Sequence, residues 1–128
     1  MTQEDKELLL QDLCCRLPYG VMVNINGEID ILTSICDDDG YYFNFLEPDN
    51  LEGYTIDEIK PYLFPLSSMT EEQEMEYDAT FATIVYEDGK RDSAMTYKSF
   101  DWLNKNHFDY RGLIPMGLVN DATGLNIY

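Results

Sequence analysis

Positive charge is scarce in this chain: 8 lysines and arginines stand against 25 aspartates and glutamates, for a net charge of −17. Phosphate contact needs a basic stripe, so the composition argues against direct binding to nucleic acid or to an anionic membrane. Histidine is rarer still. With His107 alone, a three-histidine zinc site is excluded, and a mixed site would need carboxylates whose spacing shows no pattern. The three cysteines, Cys14, Cys15 and Cys36, are odd in number and lack disulfide or metal spacing, so they read as reduced thiols, with Cys14 as a small buried residue. No apolar run approaches the ~20 residues needed to span a bilayer. Met1-Thr2-Gln3-Glu4-Asp5 is not the basic start of a secretory signal, and the expected location is cytoplasmic. The glycines stand singly, and Gly112 and Gly117 lack the strand-loop-helix setting of a phosphate loop. No cofactor is expected, and neither repeats nor linkers divide residues 1–128, which predicts a single globular domain.

What is present is an apolar pattern that changes period along the chain. Leu9, Leu13 and Leu17, with Leu10 and Cys14 beside them, predict a helix capped by Thr2 and stopped by Pro18. Val21, Val23 and Ile25 then alternate, Asn26-Gly27 marks a two-residue hairpin turn, and Ile29 and Ile31 resume the alternation. Asp37-Asp38-Asp39-Gly40 has the look of a calcium loop. Taking Gly40 as the loop glycine puts Ile35 at the first ligand position and Leu46 at the last, and neither can ligate. Asp and Gly accept left-handed backbone angles, so a second hairpin turn into Tyr41, Phe43 and Phe45 is the simpler reading.

Glu47–Tyr54 reads as a polar loop, and Thr55 with Glu58 as a capping box for one helical turn kept short by Pro61 and Pro65. A second box, Thr70 with Gln73, opens a longer helix whose stripe of Tyr77, Phe81, Ile84 and Val85 predicts an end near Glu87. After a turn at Tyr86–Ser93 comes a last helix, with Phe100 and Leu103 inward and Lys105 near its end, followed by an irregular tail. The expected fold is α+β: a small antiparallel meander of about three strands packed with an N-terminal helix and two helices from the C-terminal half.

"LLLQDLCCRLPYGV", "DEIKPYLFPLSSMTEEQ" and "HFDYRGLIPMGL", in that order, resemble a group of small acidic proteins of gut Bacteroides genomes and their phages or mobile elements. The resemblance implies a lineage and a mobile-element setting. It carries no activity, cofactor or site residue.

The densest chemistry lies in "KNHFDYRG", Lys105–Gly112. As a site, Arg111 or His107 would engage an anionic group of a partner, with Tyr110 as contact surface. As structure, it is a helix end tied down by Arg111 pairing with Asp109 or a backbone carbonyl, with Phe108 in the core. A hydrolase would need a nucleophile beside His107, which no sequence spacing supplies, and with 25 acids some carboxylate pair lies at any chosen distance. Charge distribution says more. Residues 1–89 hold 21 acids and 3 bases, a balance of −18, and residues 90–128 hold 4 acids and 5 bases, a balance of +1. The leading expectation is therefore a non-enzymatic interaction or accessory domain that meets a basic surface on a protein partner, with Glu71, Glu72, Glu74 and Glu76 as its exposed acidic face. The alternatives are an inhibitor of a host-defence protein that mimics DNA through those carboxylates, and a small hydrolase built around His107.

Overall fold

The computed structural model describes residues 1–47 and 53–128; most of the polar loop expected at Glu47–Tyr54 lies outside them. The chain is α+β, with three α-helices and a mixed sheet among the described residues. Helix α1, Gln3–Arg16, opens with the expected cap: the Thr2 hydroxyl accepts from Asp5 N, and Asp5 answers by accepting from Thr2 N. Strands β1 (Met22–Ile25), β2 (Glu28–Asp37) and β3 (Tyr41–Phe45) form the predicted antiparallel meander. Asn26 and Gly27 take positive φ in the first turn, as Asp39 and Gly40 do in the second.

The two-residue turn sets a register that the apolar alternation did not foresee. Ile25 pairs with Glu28 and Asn24 with Ile29, so Ile29 and Ile31 lie on the face opposite Val23 and Ile25. The core is recovered further along. Leu32 pairs with Phe45 and Ser34 with Asn44, leaving Thr33 as an extra residue in β2, a bulge that bends the strand while Leu32, Phe43 and Phe45 stay buried.

The sheet is larger than a meander. Ile59–Pro65, expected as a short turn and loop, is instead β4, and the sheet runs β3-β2-β1-β4 and on to Phe108–Asp109 (β7), with Asn120–Asp121 (β8) also paired to β4. Its prolines are compatible with this. Pro61 precedes the pairings on the far side, which begin at Tyr62, and Pro65 is the last residue of the strand. Those far neighbours, β7 (Phe108–Asp109) and β8 (Asn120–Asp121), run parallel to β4, so the sheet is mixed and the tail is less irregular than predicted. Val21, Val23, Ile25, Leu32, Phe43, Phe45, Ile59 and Leu63 make a core with Leu9 and Leu13 of α1.

Between β4 and β7 the chain makes a long excursion. Helix α2 is Glu71–Asp78 only, eight residues rather than the seventeen or so expected. It ends where the Thr80 hydroxyl donates to Tyr77 O at 2.6 Å and accepts from the Ser99 hydroxyl at 2.8 Å, turning the backbone away. Ile84 and Val85, read as a helical stripe, belong to β5 (Ala82–Val85), which pairs with β6 (Arg91–Ala94) in a separate two-stranded hairpin. β-branched Thr83-Ile84-Val85 before Asp88-Gly89 is a hairpin signal in its own right. Helix α3, Tyr97–Lys105, buries Leu103 as expected, whereas Phe100 is 43% exposed. A line of aromatic contacts joins this excursion to the sheet. Phe81 meets Tyr77, Tyr77 stacks on Trp102, and Trp102 stacks on Phe108, which meets Phe64.

Candidate functional site

Two regions draw on the residues singled out from the sequence, and they differ in how much of their chemistry is already used. The first surrounds His107–Arg111. His107 follows α3 with φ of 63°, a left-handed conformation that ends the helix. Its ring is buried and stacked on Tyr128 at 3.7 Å. Burial, with the Arg16 cation adding to it, pushes the imidazole down to about 4. Arg111 does not pair with Asp109. Its Nε donates to Asp12 Oδ1 at 3.1 Å, and its Nη2 reaches Tyr110 Oη and Cys15 Sγ. Asp109 accepts from Leu113 N and Ile114 N, both at 2.9 Å, and so fixes the turn that follows β7. Tyr110 donates to Asn104 Oδ1, with the Arg111 guanidinium 4.9 Å and the Arg16 guanidinium 5.3 Å from its ring.

The centre of this network was not among the sequence candidates. Asp12 and Arg16 are both fully buried, joined at 2.8 and 3.1 Å, and Arg16 also donates to the Phe108 carbonyl at 2.6 Å. A signal was present. Asp12 and Arg16 stand four apart on the stripe that includes Leu9 and Leu13, where a solvated pair would not be expected. They displace Cys14 from the inward face. All three cysteines are exposed, and burial, with neighbouring Cys15 second, raises the Cys14 thiol above its usual range.

The second region is the excursion from α2 to the start of α3. Glu71, Glu72, Glu74 and Glu76 are all exposed, and no ion pair among the described residues engages any of them. Three of them lie in the first turn, where acids suit the helix dipole. Beside these acids the excursion exposes large apolar side chains: Met75, Ile84, Val85, Tyr86, Met95 and Tyr97 are each at least 40% exposed. Tyr77 Oη lies 3.8 Å from Met95 Sδ, and Thr96 Oγ1 donates to Thr80 O at 2.8 Å, so α2, the end of the hairpin and the start of α3 are tied together. The structure therefore does not bring the four glutamates and His107–Arg111 into one cluster through any described contact. No helix among the described residues is long and apolar enough to cross a membrane. Comparisons with protein-family models, with curated proteins and with solved structures returned no match to this chain.

Proposed function

We propose that this protein is a non-enzymatic interaction module that docks a basic surface of another protein onto the excursion Glu71–Tyr97. The observation that carries the reading is the pairing, on one stretch, of four exposed glutamates without ion-pair partners and a set of exposed apolar side chains. Acids steer a basic partner at long range, and apolar contacts supply the short-range affinity that screened surface charge does not. The polar residues at 109–111 have a different part in this reading: Asp109, Tyr110 and Arg111 are engaged within the chain, so they hold the excursion against the sheet, while His107 Nδ1 is buried without a partner among the described residues.

The test is retention of partners on the immobilised chain, compared with a variant in which Glu71, Glu72, Glu74 and Glu76 are all lysine, a change of +8 in charge. The proposal expects a defined set of basic proteins retained at 0.1 M salt, released as salt rises, and lost from the variant. Retention unchanged by the four substitutions and by salt would overturn it. The same four carboxylates support a second reading, mimicry of DNA phosphates. Under it the retained proteins would be DNA-binding ones, and duplex DNA added in solution would displace them.

A further inference from the structure

The hairpin β5–β6 has two outer edges, and they are treated differently. Neither edge pairs with another strand among the described residues. Every residue of β5 is exposed, as are Arg91, Asp92 and Ser93 of β6. A two-stranded ribbon of this kind is marginal by itself in water. Its hydrogen-bond phase follows from the loop: Tyr86 N donates to Lys90 O at 2.8 Å, and Gly89, at φ of 82°, closes the turn by donating to Tyr86 O. Antiparallel pairs alternate between bonded and unbonded, so with Tyr86 opposite Lys90 bonded, the pairs Val85 with Arg91 and Thr83 with Ser93 are the unbonded ones. The N–H and C=O groups of Thr83 and Val85 thus point outward from β5, and those of Arg91 and Ser93 outward from β6.

Exposed strand edges attract further strands, and proteins blunt them with charge, proline or bulges. The β6 edge is blunted. Its residues include Arg91 and Asp92, and the Asp92 carboxylate takes up the outward Ser93 N–H at 2.9 Å. The β5 edge, Ala82-Thr83-Ile84-Val85, has no charge, no proline and no bulge, and its β-branched residues favour an extended partner. It is bracketed by acids, with Asp78 before it and Glu87 and Asp88 after it.

Resting on the reading above, we propose that the outer edge of β5 accepts an extended segment of the basic partner as a third strand, paired through Thr83 and Val85. Charge selects the occupant. A second copy of this chain would bring two molecules of charge −17 together with Glu87 next to Val85 on each, whereas an apolar strand flanked by lysine or arginine would complement Glu87 and the exposed glutamates of α2.

The probe is a short peptide of alternating valine and lysine, read by amide hydrogen exchange and by titration. The expected result is that the Thr83 and Val85 amides gain at least tenfold protection and that N-methylating alternate residues of the peptide, which keeps its charge but prevents pairing, removes the effect. Val85→Pro, which deletes one outward N–H at an exposed position, should likewise abolish binding. Binding that survives N-methylation, is lost from the four-lysine variant and protects no β5 amide would overturn strand addition while leaving the acidic docking surface standing. Binding unaffected by serine in place of the peptide lysines would overturn the choice of a basic partner. Protection of Thr83 and Val85 without peptide, with a dimer in sedimentation, would assign the edge to a second copy.

Discussion

Asp12 makes three charge-assisted hydrogen bonds at zero exposure, to two donors of Arg16 and one of Arg111. Removing one partner of such a pair leaves the other charge buried and alone, so Asp12→Ala should lower the unfolding free energy by about 3–5 kcal/mol. Arg111→Ala, at a side chain 20% exposed, should cost less, about 1.5–3 kcal/mol. Denaturant midpoints at pH 7 check both, and an Asp12 cost no greater than that of Arg111 would contradict the ranking. His107 gives a pH signature. Its folded value of about 4 lies below the ordinary 6.5, so between those values the unfolded chain binds a proton that the native state refuses. That contribution to stability is intact above pH 6.5 and is lost as pH falls toward 4. His107→Asn, which tolerates the left-handed backbone and does not titrate, should lose less stability than the parent between pH 7 and 5, as unfolding at each pH would reveal. Residues of this kind are hard to read from sequence. Arg111 stands in the densest chemical stretch of the sequence, but its partner lies 99 positions away, and nothing local names Asp12 over the nearer Asp109.

At the scale of elements, capping chemistry was the most legible feature. Thr2 and Thr70 each cap with the side-chain oxygen, and at Thr55 the Glu58 carboxylate accepts from the Thr55 amide, because a cap is decided within four residues. Thr70→Ala should cost about 1 kcal/mol and act locally. The amides of α2 should exchange faster while those of β1 and β4 do not, and uniform acceleration would show that α2 unfolds only with the whole. Period, by contrast, misled over residues 77–85. Tyr77 and Phe81 do meet edge to face, although Phe81 lies beyond the end of α2, and extending the stripe to Ile84 and Val85 passes over three consecutive β-branched residues and an Asp-Gly turn. β4 was missed for a related reason: two prolines within seven residues argue against a strand unless one knows which ladder side they leave unpaired. Its parallel neighbours come from 44 and 58 positions downstream, beyond any local signal.

For the whole molecule, charge decides more than motif. Four ion pairs are formed among the described residues, and two of them use the same buried Asp12, so few exposed attractions offset the repulsion of a −17 chain. Raising sodium chloride from 0.02 to 0.2 M shortens the Debye length from roughly 20 Å to below 10 Å, and should raise the melting temperature. A fall would mean that the surface pairs outweigh the repulsion. Trp102, the single tryptophan, lies between Tyr77 of α2 and Phe108 of β7, at ring distances of 5.4 and 5.5 Å. That position makes the molecule its own optical probe. Any occupant of the excursion that lifts α2 from the sheet must unstack the indole and let water reach it, shifting its emission to the red. An occupant that merely extends β5 leaves the indole sandwiched and its emission unmoved.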